Sequence, residues 1–122
     1  MNLNQAELEI TCSELLDAFK GQLTWKWDES FEALLAAIKT VQQDEIQQIL
    51  AKYFAHLWDG RSIRTAPKSI MKGAENFIDL RAGQLLFTSE PGTGAFLYAA
   101  WWPWGNASKI SVRLAASARQ LT

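Results

Sequence analysis

An uninterrupted apolar run over residues 95–102 places the strongest constraint on how this chain folds. The run is too short to cross a membrane as a helix, which needs about 20 residues. Read as a strand, it places apolar side chains on both faces, and a strand without a polar face has to be buried on both sides. We therefore expect helices of this chain to cover one face. A further helix or a second subunit covers the other face. The side chains on one face are Phe96, Tyr98, Ala100 and Trp102, and those on the other face are Leu97, Ala99 and Trp101.

The second half of the chain has the pattern of an antiparallel meander. Four short β-like runs occupy residues 75–80, 84–89, 95–102 and 109–116. In the last run Ile110, Val112 and Leu114 alternate with more polar residues, which predicts a strand with one buried face and one solvent-exposed face. Residues 61–74 precede these strands as an irregular connector, because Pro67 and Gly73 interrupt regular structure.

The first half of the chain has helical spacing. Apolar residues from Leu8 to Phe19 predict a helix over residues 4–19, and Gly21 ends it. Residues 22–27 alternate and are read as a short strand or an extended connector. Two more helices follow, one with the stripe Phe31, Leu34, Leu35 and Ile38, and one with the stripe Ile46, Ile49, Leu50, Tyr53, Phe54 and Leu57.

The predicted fold class is therefore α+β. About three N-terminal helices pack on one face of a C-terminal four-stranded antiparallel meander, and residues 1–122 form one domain. The 122 residues carry a net charge of −1 and are 48% hydrophobic, values typical of an ordered soluble domain. A polar N-terminus without an apolar stretch is not a secretory signal, so we expect a cytoplasmic protein without membrane contact.

Charge is distributed unevenly along the chain. Residues 1–60 carry ten acidic residues and four lysines, whereas residues 61–122 carry eight basic residues and three acidic ones. A polarised surface can steer a charged partner, although two halves of opposite sign can equally attract each other within one molecule.

Few residues offer chemistry beyond packing. The single cysteine, Cys12, excludes an intramolecular disulfide, and the single histidine, His56, excludes a histidine-rich metal site. Cys12 lies on the apolar stripe of the first helix and is read as a buried, inert thiol. His56 and Asp59 are spaced to meet on one helix face, either as a general base or as a local pair at a helix end. No cofactor and no metal are expected.

Four basic residues, Arg61, Arg64, Lys68 and Lys72, follow one another at spacings of three and four in the connector. Together with Arg113 they are candidates for contact with phosphates or another anion. The alternative is an ordinary solvated connector.

Three tryptophans in four residues, Trp101, Trp102 and Trp104, are the least ordinary feature. Adjacent side chains on a strand face opposite ways, so the three rings cannot all enter one core. Tryptophan and tyrosine are enriched at binding hot spots, so these three residues and Tyr98 are the predicted partner-binding residues. The alternative is that the rings cover both faces of a small sheet within one chain.

From these features we expect a small non-enzymatic protein that works through protein–protein contact, as an adaptor, chaperone-like or regulatory protein, and as a homodimer. Two alternatives stay open. One is binding of single-stranded nucleic acid on an aromatic and basic sheet face with Arg81, Lys109 and Arg113, which a pI of about 5.8 disfavours. The other is a small-ligand pocket or an enzyme centred on His56, with Asp59 and Tyr98.

Overall fold

The computed structural model describes residues 2–90, 95–106 and 108–117, and within these residues six antiparallel strands form a single sheet. The strands are β1 (Lys26–Asp28), β2 (Ala33–Lys39), β3 (His56–Trp58), β4 (Leu85–Thr88), β5 (Phe96–Pro103) and β6 (Lys109–Ser117). Across the sheet the order is β1-β2-β6-β5-β4-β3. The long strands β5 and β6 therefore lie at the centre, and short strands at both edges leave little unpaired backbone for another sheet.

Helices precede and connect the strands. Within the described residues they are α1 (Gln5–Thr11), α2 (Ser13–Ala18), α3 (Gln43–Tyr53) and α4 (Lys68–Gly73), with 3₁₀ segments at Thr40–Gln42, Ser62–Thr65 and Glu75–Phe77. The side chain of Asn4 caps α1 by accepting from the Glu7 N–H, and the Glu7 carboxylate accepts from the Asn4 N–H. None of these described helices is both long and apolar enough to span a membrane.

The two faces of the sheet carry two separate apolar cores. On the first face α1, α2 and α3 pack against side chains that include Trp101 and Val112. On the second face α4 and the 3₁₀ segments Ser62–Thr65 and Glu75–Phe77 pack against Phe96 and Tyr98. The prediction that β5 is buried on both sides is confirmed, and the second cover belongs to the same chain.

The α+β class is confirmed, but the predicted four-stranded meander is too small. Strands β4, β5 and β6 form a meander, and the sheet continues through β2 and β1 on one side and β3 on the other. The predicted packing of helices on one face is also corrected, because helices cover both faces.

The predicted second helix is wrong, since the stripe Leu34, Leu35 and Ile38 lies on β2. There Leu34 lies opposite Leu114 and Ile38 opposite Ile110 of β6. The segment is apolar at almost every position, so its spacing suits a helix or a strand equally well. Pairing with the central strand β6 stabilises the strand.

The predicted strand over residues 75–80 is also wrong. Its first three residues are the 3₁₀ segment Glu75–Phe77, which follows α4 directly and is closed by the Phe77 N–H on the Ala74 carbonyl. The ring of Phe77 packs onto Tyr98, with centroids 5.3 Å apart. This segment therefore covers the sheet instead of extending it.

The structure differs from the prediction at three further places. The predicted first helix is divided at Cys12, whose φ of −104° and ψ of 21° are not helical, into α1 and α2. The predicted third helix ends at Tyr53, because Phe54 is extended, and Leu57 lies on edge strand β3. Residues 61–74, expected to be irregular, contain α4.

Candidate functional site

The three clustered tryptophans have three different environments. Trp101 lies in the first core, where its ring meets that of Phe87 with centroids 6.3 Å apart. Trp102 points to the opposite face and packs edge-on against Phe31 and Phe77. Trp104 lies just beyond the end of β5 and is 43% exposed. Of the three, Trp104 is the ring that presents the larger surface to a partner.

Tyr98 lies in the second core together with Phe77 and Phe96. Its hydroxyl donates to the Asn2 side-chain oxygen at 2.9 Å, and burial raises its pKa to about 12. Of the four residues predicted to bind a partner, Tyr98 and Trp101 are therefore interior residues, and Trp102 is partly covered.

Arg113 is held inside the molecule. Its guanidinium carbon lies 4.8 Å from the Phe31 ring centroid and 4.7 Å from that of Trp102. Its Nε donates to an Asp28 carboxylate oxygen at 3.1 Å, and both side chains are only 16% exposed. A cation between two rings and beside a carboxylate has its favourable partners already. Arg113, predicted as an anion contact, therefore stabilises the second face beside Trp102.

The exposed indole of Trp104 is fixed in place. Its backbone N–H donates to the Lys109 carbonyl and its Nε1–H donates to the Ser111 hydroxyl, both at 2.9 Å. The Lys109 ammonium lies 5.5 Å from the ring centroid. An aromatic ring that is exposed and already ordered loses little entropy when a partner covers it.

Other exposed residues gather at the same end of the sheet. Lys39, the last residue of β2, lies directly opposite Lys109 in the register. Val41 follows in the 3₁₀ segment Thr40–Gln42, which the Thr40 N–H ties to the Ser108 carbonyl, and it is 90% exposed. We call this set, Lys39, Val41, Pro103, Trp104 and Lys109, the Trp104 surface. It joins two exposed cations to apolar side chains that include a tryptophan, a residue type enriched at binding hot spots.

The basic run of the connector is divided by the fold. Arg61 and Arg64 line a groove together with Arg81. Lys68 and Lys72 are exposed on α4 and do not line that groove. Of the three groove arginines, the sequence analysis predicted Arg61 and Arg64 as anion contacts. It did not group Arg81 with them, because the pairing of β3 with β4 is what brings residues 59–64 and residues 80–85 together.

His56 and Asp59 have separate partners. The Nε2 atom of His56 lies 2.8 Å from a Glu90 carboxylate oxygen, and its ring packs on Trp58 with centroids 5.6 Å apart. Asp59 accepts instead from the backbone N–H groups of Arg61 and Ser62, which lower its pKa. His56 on β3 therefore pairs with Glu90, which follows β4, and not with Asp59 as the spacing suggested.

Cys12 is buried in the first core, and burial raises its pKa to about 11. The thiol therefore remains protonated at neutral pH and is a poor nucleophile. Among the residues that the structure describes, histidine, cysteine and carboxylate side chains form no group of three or more that could hold a metal ion.

Comparison of the chain with protein-family models, with curated proteins and with solved structures finds no significant match.

Proposed function

We propose that this chain is a cytoplasmic, non-enzymatic binding protein whose Trp104 surface docks a protein partner that presents acidic side chains. The observation that carries the proposal is the ordered, 43% exposed indole of Trp104 beside Lys39 and Lys109. Burying a tryptophan in a partner's pocket is among the strongest single contributions to an interface. In the cytoplasm, reducing conditions suit a chain with one unpaired thiol.

Charge supports an acidic partner. Lys39 and Lys109 lie directly opposite each other on β2 and β6, and like charges in that register reduce the stability of a sheet. Neither ammonium forms an ion pair with a carboxylate of the described residues. Carboxylates of a partner would relieve this repulsion, so complementary charge would add to the apolar contact made by Trp104 and Val41.

The same lysines disfavour a symmetric homodimer through this surface. A two-fold axis brings identical patches together, so a symmetric interface would contain Lys39 and Lys109 of both copies, four cations that repel one another. The second apolar face of β5, which motivated the homodimer, is covered by α4 and its neighbouring segments. We therefore favour a different protein over a second copy as the partner.

The exposed rings favour a protein over single-stranded nucleic acid. Sheets that bind single strands stack successive bases on two or three aromatic rings. In the Trp104 surface one ring is available, because Trp102 is partly covered by Phe31 and Arg113. The chain also carries a net charge of −1, which gives no general attraction for a polyanion.

Site-specific photo-cross-linking tests this proposal. A benzophenone amino acid replaces Val41 within the surface or, as the control, Ile10 on α1, which is 78% exposed and apolar but lies among acidic residues. After irradiation in an extract of the native host, we expect a discrete adduct from position 41 that protease removes. The adduct should be absent when Lys39→Glu and Lys109→Glu are added, because the partner's carboxylates would then be repelled.

Four outcomes would overturn the proposal. Equal adducts from positions 41 and 10 would show that the surface has no preference, and no adduct would show that it has no partner. An adduct that nuclease removes would favour single-stranded nucleic acid, and one with twice the mass of the chain would favour self-association. The adduct protein also has to bind the purified chain with an affinity that falls as salt is added.

A further inference from the structure

A groove between residues 59–64 and residues 80–85 brings three arginines together. Arg61, Arg64 and Arg81 line it, and its volume is about 720 Å³, within the range of pockets that hold small ligands. Because Arg61 and Arg64 flank the buried Ile63 of a 3₁₀ segment, their backbone is anchored to the second core. The groove shares no residue with the Trp104 surface.

None of the three guanidinium groups forms an ion pair with a carboxylate of the described residues, although the charge of Arg61 attracts the nearby Asp59 carboxylate. The close side-chain pairs found there join His56 to Glu90 and Arg113 to Asp28. A guanidinium presents a planar fork of donors that matches two oxygens of a phosphate or carboxylate at once. Three arginines that line one groove therefore offer donors suited to an oxyanion.

Asp59 is the acidic residue that lines the groove. One of its carboxylate oxygens accepts from the N–H groups of Arg61 at 2.9 Å and Ser62 at 2.8 Å, so the carboxylate serves the local turn. With three arginines and one aspartate, the groove has a formal charge of +2. A phosphate monoester carries nearly two negative charges at neutral pH and matches this value better than a single carboxylate does.

The turn at residues 81–84 adds backbone donors. Gly83 has a φ of +81°, and the N–H groups of Ala82 and Gly83 make no hydrogen bond to another described residue. Successive free N–H groups next to a left-handed residue form concavities that bind anions. The opposite wall is close, because a Cβ atom on Gly60 would lie 3.0 Å from the Leu80 carbonyl oxygen.

We infer that this arginine groove binds a small molecule that carries a phosphate monoester, such as a nucleotide or a sugar phosphate. The three guanidinium groups would hold the phosphate oxygens, and the remaining volume of the groove would accept the organic part of the ligand. This site does not depend on the protein partner proposed above.

Isothermal titration calorimetry at low salt tests the inference with adenosine 5′-monophosphate and ribose 5-phosphate. Adenosine and ribose are the matched ligands without phosphate. We expect saturable one-to-one binding of at least one phosphorylated probe and none of its unphosphorylated counterpart. Comparing the two probes shows whether a base or a sugar suits the groove.

Variants locate the site. Arg61→Gln, Arg64→Gln and Arg81→Gln should each weaken binding about tenfold, because each removes a charged hydrogen-bonding partner of the phosphate. Lys68→Gln and Lys72→Gln remove the same charge from α4, outside the groove, and should change affinity by less than about twofold. Asp59→Asn keeps the acceptor oxygen but removes the negative charge, so it should strengthen binding.

Several results would overturn the inference. They are no saturable binding of either phosphorylated probe, equal binding of adenosine and its monophosphate, or equal losses from the groove and α4 variants. Binding confined to an oligonucleotide added as a further probe would assign the arginines to a nucleic-acid backbone instead. The cross-linking result at position 41 stands or fails separately from all of these.

Discussion

Cys12 shows at the scale of a residue how burial sets reactivity. Because burial raises its pKa to about 11, the thiolate fraction at pH 8 is about 100-fold lower than for a thiol with the ordinary value of 9.0. We therefore expect iodoacetamide to alkylate the native protein at least about 100-fold more slowly than the urea-unfolded protein, as followed by mass spectrometry. Comparable rates would mean that α1 and α2 open readily, and Cys12→Ala controls for other sites of alkylation.

Tyr98 links the second core to alkaline stability. Burial raises its pKa from 10.0 to about 12, so the unfolded chain loses this proton first. Between pH 10 and 12 the unfolded state therefore binds fewer protons, and the free energy of unfolding falls as pH rises. Below pH 10 this group adds no pH dependence.

The variant Tyr98→Phe should remove most of that alkaline loss, as measured by urea unfolding at pH 9, 10 and 11. It should also cost about 1 kcal/mol at neutral pH, because the hydrogen bond to Asn2 is lost. The control Tyr53→Phe removes the hydroxyl of a tyrosine that lies outside both cores. An unchanged profile in Tyr98→Phe would contradict the assigned cause.

At the scale of elements, α4 depends on a close approach to β5. A Cβ atom on Gly73 would lie 2.6 Å from Cδ2 of the Phe96 ring, and that ring is stacked on Tyr98. Gly73→Ala should lower the free energy of unfolding by about 1–3 kcal/mol through overpacking, although alanine is the better helix former. The control Gly105→Ala meets open space and should change stability much less in the same denaturant titration. Equal stabilities would show that Phe96 moves aside easily.

Sequence patterns predicted the elements that have a clear period and missed those that do not. Strand β6 alternates between buried and less buried positions along Ile110–Leu114, and α3 has a regular apolar stripe, so both were found. Strand β2 is apolar almost throughout, and its partner over most of its length, β6, lies far away in sequence. No local pattern records that pairing, so tertiary contact decided the structure of residues 33–39.

The candidate site was also predicted only in part: the sequence indicated that the three rings diverge, but not which ring is exposed. The clustering of Trp101, Trp102 and Trp104 indicated that the rings diverge, because neighbours on a strand alternate and Pro103 ends the run. Which ring stays exposed depended on the cover from Phe31 and Phe77, residues that sequence reasoning had placed in a helix and a strand. The burial of Arg113 was hidden for the same reason.

At the scale of the whole molecule, the fold keeps the charge asymmetry of the sequence. The acidic residues Glu7, Glu9, Glu14 and Asp17 are exposed on α1 and α2, which cover the first face. The arginine groove belongs to segments that cover the second face, and Lys39 and Lys109 lie at the end of the sheet. Such a charge distribution would orient the acidic partner that we propose toward the Trp104 surface and away from α1.

The most direct test of the account is the affinity of the cross-linked partner, once purified, for two variants of this chain. Trp104→Ser removes the exposed indole from the Trp104 surface, and Ile10→Ser removes an even more exposed apolar side chain from α1. The account predicts at least about a tenfold loss of affinity for Trp104→Ser and a change below about twofold for Ile10→Ser. Equal affinities of the two variants, with both folded, would contradict it.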